Sequence, residues 1–123
     1  MLRFKQYTEL RVLLEDKLND FVGFASDHLQ IKNTPKIDLV QQRDDTMTTA
    51  SYSPGDNKIK VYAKNRAFFD VARSIAHELA HHSQNENGQE LDGETGSDCE
   101  NHANAVAGKI IRLYGQKNPD FYE

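Results

Sequence analysis

The chain has 123 residues, 37% of them hydrophobic and 28% charged, and a formal net charge of -4. That length suits one domain, 1–123, with one modest core, and a mildly acidic chain lacks the basic footprint of a nucleic-acid binder. A single cysteine, Cys99, excludes an internal disulfide and suits a reducing compartment; the charged N-terminus has no apolar signal segment and no run reaches membrane length, so a soluble, cytoplasmic and monomeric protein is expected.

The first element reads as a helix from about Tyr7 to Gln30. Leu10, Leu14, Leu18, Phe21, Ala25 and Leu29 recur at steps of three and four, which lines up one apolar face. Asn33, Thr34 and Pro35 end it. His28 falls on its exposed edge. The middle reads as strands at Lys36–Gln41, Thr48–Tyr52 and Lys58–Ala63. The last two flank "SPGDN", where proline pre-sets one φ and the following residues tolerate positive φ, so they should pair as an antiparallel hairpin.

A second helix is expected from about Arg66 to Ser83, with Asn65 as its N-cap. "QNENGQELDGETG" follows as a solvated loop with Leu91 as its one large apolar residue. A third helix should run from Ser97 to Tyr114, with Gly115 placed to stop it. The fold class is therefore α+β: an N-terminal helix, a three-stranded mainly antiparallel sheet, and two further helices.

The second helix carries "HELAHH". On a wheel of about 100° per residue, His81 lies ~40° from His77, while Phe68, Ala72, Ile75 and Leu79 gather on the opposite side. Two imidazoles one turn apart can aim at one ion, and neutral imidazole is a good zinc ligand. Glu78 lies beside the pair, where it can reach a water without ligating the metal. This is the HExxH pattern in the helical context it requires. A catalytic zinc needs a third protein ligand and an open position. Glu100 and His102 on the third helix are candidates, as are Glu86, Glu90, Asp92, Glu94 and Asp98. A wheel puts Glu100 at the edge of the core-facing stripe and His102 on the water side. A carboxylate aimed inward needs a cation or hydrogen bonds to offset its desolvation. Ser97 and Glu100 also fit a capping box, which would confine Glu100 to starting the helix. His82 points toward the apolar side as a packed or hydrogen-bonded residue. Cys99 reads as a small packed residue.

Eighteen residues lie between His81 and Glu100. HELAH with that glutamate resembles the gluzincin zinc metallopeptidases, and "ENHANAVAGKII" (Glu100 to Ile111) resembles the ImmA/IrrE group, with His102 where that group usually has a second glutamate. The size resembles the minigluzincins. The likeness covers Ser74 to Ile111; residues 1–73 match in element order only. It implies a minimal zincin-like core, with a helix backing a small sheet. It implies Zn2+ held by His77, His81 and Glu100, and Glu78 as general base. It implies that the strand near Ile59–Ala63 lines the cleft and pairs with a peptide or protein substrate bound as an extended strand. It sets Asn104 where thermolysin-like enzymes carry an aspartate that orients a ligating histidine; the plain alternative is a partly exposed polar residue.

The reading from sequence is a small zinc peptidase with no nucleic-acid or membrane partner. Tyr52, Tyr62, Tyr114 and His102 are candidates for stabilising an oxyanion. The alternatives are a zinc-stabilised binding or regulatory module without catalysis, and an SprT-like arrangement with His102 as third ligand. The tail aromatics Phe121 and Tyr122 either pack on the first helix or accompany a C-terminal segment, with Asp120 or Glu123, that occupies the cleft.

Overall fold

The computed structural model describes residues 4–41, 49–89 and 97–122, with their side chains from residue 15 onward except at 120 and 122. In chain order they form α1 (Phe4–Leu29), β1 (Lys36–Val40), β2 (Ala50–Ser53), β3 (Lys58–Tyr62), α2 (Phe68–Glu86), α3 (Asp98–Lys117) and a short 3-10 turn (Pro119–Tyr122). The α+β architecture expected from the sequence is present: an N-terminal helix, a three-stranded sheet and two packed C-terminal helices. Leu10, Leu14, Thr48, Glu90, Leu91, Asp92, Glu94, Asp120, Tyr122 and Glu123, named above, lie outside the described residues or side chains.

The hairpin forms as the turn chemistry requires. Ser53 stands opposite Lys58 in an antiparallel ladder, and Asn57 supplies the positive φ of the turn at 49°. The sheet is mixed rather than mainly antiparallel. Its order is β1-β3-β2, and β1 pairs with β3 in parallel, with Lys36 opposite Lys58 and Val40 opposite Tyr62. Alternation of apolar residues reports which face of a strand is buried but not its direction, so nothing in "KIDLV" distinguished the two pairings. Because β3 is the central strand, both its edges are occupied. The expectation that this strand takes a peptide is corrected: among the described strands, β2 is the one beside the cleft with an unpaired edge.

The helix boundaries differ where a proline or a side chain overrides a simpler signal. Asn65 adopts a φ of 57° in a turn, and α2 begins at Phe68 behind Ala67, which offers no side-chain cap. Arg66 instead braces this entry, donating to the carbonyls of Tyr62 and Asp70 and to Ser74 Oγ. Gly115 is buried inside α3, which runs on to Lys117. Pro119 sets the end, because the residue before a proline is pushed out of the helical region; Asn118 has φ -132° and ψ 81°.

α2 is the central element. It packs against α1, α3, β2 and β3. Val71, Ala72, Ile75, Ala76 and Leu79 form its buried apolar side and meet Phe21 and Val22 of α1, Ile59 and Val61 of β3, and Ala107, Ile110 and Ile111 of α3. Burying one large side chain such as Ile75 or Leu79 contributes about 1.5–3 kcal/mol. α1 packs against α2 and α3 rather than backing the sheet. Tyr114 donates its hydroxyl to Asp20 at 2.7 Å, which ties α3 to α1. Phe121 is buried and stacks on Phe21 at 6.0 Å, with Tyr114, Phe68 and Phe69 around it. It is a core residue, as the packing account of the tail requires.

The far end of α2 is latched. His82 Nε2 donates to the Asn33 carbonyl at 2.7 Å, leaving Nδ1 to accept from the Tyr52 hydroxyl at 2.7 Å. Glu86 accepts from the backbone N–H groups of Lys32 and Asn33, each at 3.0 Å. Burial alone would raise the Glu86 pKa; those donors and His82 outweigh it and hold the carboxyl below its usual value. No helix among the described residues is long and apolar enough to cross a membrane.

Candidate metal centre

One turn of α2 separates His77 from His81, and their rings meet edge to face at 4.7 Å between centroids. α3 crosses beside them and brings in Glu100. Its Oε1 lies 2.7 Å from His81 Nε2 and its Oε2 3.2 Å from His77 Nε2, and the two Nε2 atoms are 3.2 Å apart. One ligand atom from each residue falls within 4.8 Å of the others, so the three could hold a metal ion. Ser97 accepts from the Glu100 backbone N–H at 3.2 Å. The serine half of the capping box is therefore real, and it starts α3 so that the carboxylate of Glu100 is delivered to the histidines.

Gln84 fixes the ring of His81. Its Oε1 accepts from His81 Nδ1 at 2.9 Å and from the Cys99 thiol at 2.8 Å. Its Nε2 donates to the Cys99 carbonyl at 3.0 Å and to His102 Nδ1 at 2.9 Å. With the Nδ1 proton committed to Gln84, His81 presents Nε2 to Glu100 and His77. Three electron-rich atoms packed this closely repel one another unless a proton or a cation sits among them. The donor set itself thus fits a metal ion. Asn104 is exposed and lines the same cleft as His77. Burial and the neighbouring His81 lower the His77 pKa, although Glu100 and Asn104 pull the other way. A lowered pKa keeps the imidazole in its ligating, neutral form.

Gln84 was missed from sequence. The available signal was its position at i+3 from His81 on the same helix face, where a long amide can reach a ring nitrogen.

Glu78 projects into a cleft of about 270 Å³ that also touches Thr49, Ala50, Ser74, His77 and Asn104. Burial, with the negative charge of Glu100, pushes its pKa up to about 7 against the opposing influence of His81. A carboxyl poised there can both accept and release a proton near neutrality.

The other candidates are elsewhere. His102 is exposed and bonds to Gln84, outside the three-residue group, which removes the geometric basis for the SprT-like ligand set. Glu86 belongs to the latch, and Asp98 is exposed in the first turn of α3. Tyr114 is committed to Asp20 and Tyr52 to His82 on the opposite side of α2, so neither hydroxyl is free for an oxyanion. His28 is exposed at the end of α1. No protein-family model, no curated protein and no solved structure matches the chain. Fold and geometry together define a small α+β protein whose His77, His81 and Glu100 could bind a metal.

Proposed function

We propose that this chain is a zinc-dependent peptidase. The observation that carries the reading is the convergence of His77, His81 and Glu100 next to a cleft into which Glu78 projects. Two imidazoles and a carboxylate are a ligand set suited to catalytic zinc, because three protein ligands leave a position open. When bound, zinc supplies a Lewis acid that acidifies a water and polarises a carbonyl. Glu78, held beside the ligands but not among them, would take a proton from the attacking water and return it to the leaving nitrogen. Its elevated pKa suits both transfers. Gln84 holds His81 in the orientation that makes it a ligand. The unpaired edge of β2 offers backbone groups to an extended peptide beside the cleft.

The test uses the zinc-loaded chain and its Glu78→Gln variant with a mixed peptide library, read by mass spectrometry with and without a chelator. Cleavage by the wild type should stop on chelation. It should fall at least about 100-fold in Glu78→Gln, while native mass spectrometry still finds one zinc on the variant. A zinc-loaded wild type that cuts nothing would overturn the peptidase reading and favour a zinc-stabilised binding module.

A further inference from the structure

Asp70, Arg73, Ser74, His77 and His81 lie at helical spacing on α2, so one stripe leads from the start of the helix to the metal group. At the far end of the cleft from Glu78, that stripe meets Arg66. Its guanidinium is fixed by three neutral acceptors: the Tyr62 carbonyl at 2.8 Å, the Asp70 carbonyl at 2.9 Å and Ser74 Oγ at 2.8 Å. Arg73 lines the same end. Among the described residues, no carboxylate forms an ion pair with either arginine. The exposed carboxylate of Asp70 at the rim offsets only one of the two charges.

We infer that this end of the cleft is a carboxylate subsite, which takes an acidic side chain or a free C-terminal carboxylate of the substrate. The inference rests on the peptidase reading and names its substrate class. The anchored Arg66 guanidinium is pre-organised and keeps single N–H donors and its charge for a carboxylate, and the neighbouring Arg73 brings a second guanidinium whose fork suits the same group. The distance also fits. Arg73 precedes His77 by one turn, about 6 Å along the helix. An extended peptide advances about 3.3 Å per residue. A carboxylate within about two residues of the cut therefore reaches the arginines while the scissile bond lies at the metal group. Thr49 and Ala50, at the start of β2, form the opposite wall. A peptide laid along the β2 edge would turn alternate side chains toward α2.

The experiment has a cleavage arm and a binding arm, both on the full chain loaded with zinc. The cleavage arm uses a peptide pool containing each sequence with Glu and with Gln, and with a free and an amidated C-terminus. The binding arm follows the arginine side-chain NMR signals of the Glu78→Gln chain as a Glu pentapeptide or its Gln twin is added. We expect a preference of roughly tenfold for the carboxylate form, at one fixed register from the cut, and lost in Arg73→Gln. Arg66→Gln also removes a brace of the fold, so Arg73→Gln, at an exposed position, is the deciding variant. Preference for Glu identifies a side-chain carboxylate, and preference for the free terminus identifies the chain end; either supports the subsite. Cleavage with no preference of either kind overturns the subsite and leaves the peptidase standing. Absence of cleavage, with Glu-specific shifts at Arg66 and Arg73, overturns the peptidase and keeps a carboxylate-binding cleft. Absence of both overturns both.

Discussion

His81 Nδ1 donates to Gln84 Oε1 at 2.9 Å, from a glutamine that is itself buried and fully engaged by Cys99 and His102. The bond selects the ring tautomer that leaves Nε2 for a metal. Removing the amide frees the ring to rotate and leaves the Cys99 carbonyl without this donor. Replacing a residue that orients a ligand typically lowers metal affinity by about 10–100-fold. Gln84→Ala should show that loss in a competition titration with a zinc indicator, while Gln84→Glu retains more of the affinity. Unchanged affinity in Gln84→Ala would mean that packing alone orients His81.

Glu100 and His102 sit two residues apart on α3, and only Glu100 joins the histidines. Glu100→Ala should lose the metal at micromolar protein concentration, whereas His102→Ala should keep one equivalent. Metal bound to the folded state alone raises stability by mass action. A chelator should therefore lower the melting temperature of wild type and of His102→Ala, and leave His77→Ala and Glu100→Ala unmoved. Equal shifts in all four would show that the chelator acts elsewhere.

The Glu86 latch should make stability depend on acid. A carboxyl whose folded pKa is depressed contributes stability that is present above its unfolded pKa and lost as pH falls through the folded one. Glu86→Gln removes that dependence at a cost of about 1 kcal/mol at neutral pH. The stability gap between wild type and the variant, measured by urea unfolding, should be largest at pH 7 and close as the pH drops below about 4.5. A gap that is flat from pH 7 to pH 3 would mean that the Lys32 and Asn33 donors do not depend on the charge.

Phe121 fills the space between α1, α3 and the start of α2. Phe121→Ala should cost about 3–5 kcal/mol and leave zinc stoichiometry at one. Truncation after Lys117 should be destabilising to a similar degree with no gain in peptidase activity. A truncated chain that is more active and equally stable would instead show that the tail blocks the cleft.

The helical parts of this fold were largely legible because amphipathic periodicity is local. The spacing of Leu18, Phe21 and Ala25, or of Ala72, Ile75 and Leu79, names a buried face without knowledge of its partner. The hairpin was legible for the same reason, since "SPGDN" carries its own turn. The direction of β1 was not, because a strand's partner is a property of the whole sheet. The metal group was legible through His77, His81 and Glu100, whose types and spacing reflect what an ion demands. Gln84, Arg66 and Asn65 were misread or passed over. Their roles depend on which backbone groups and rings the tertiary structure sets in front of them.

The sheet order has a consequence for how the chain assembles. The β2–β3 hairpin closes over a short turn, but β1 pairs with the other edge of β3 from 22 positions away in the chain (Lys36 opposite Lys58), and such non-local pairings form more slowly. Until it arrives, β3 has an open edge beside the apolar side chains of Ile59 and Val61. An open edge of that kind is a template for another molecule's strand. Lys58 and Lys60 alternate with those residues and keep a charge on every second position of the exposed ribbon. When β1 docks, Asp38 comes within 3.2 Å of Lys58, and the charge that discouraged aggregation finds an intramolecular partner.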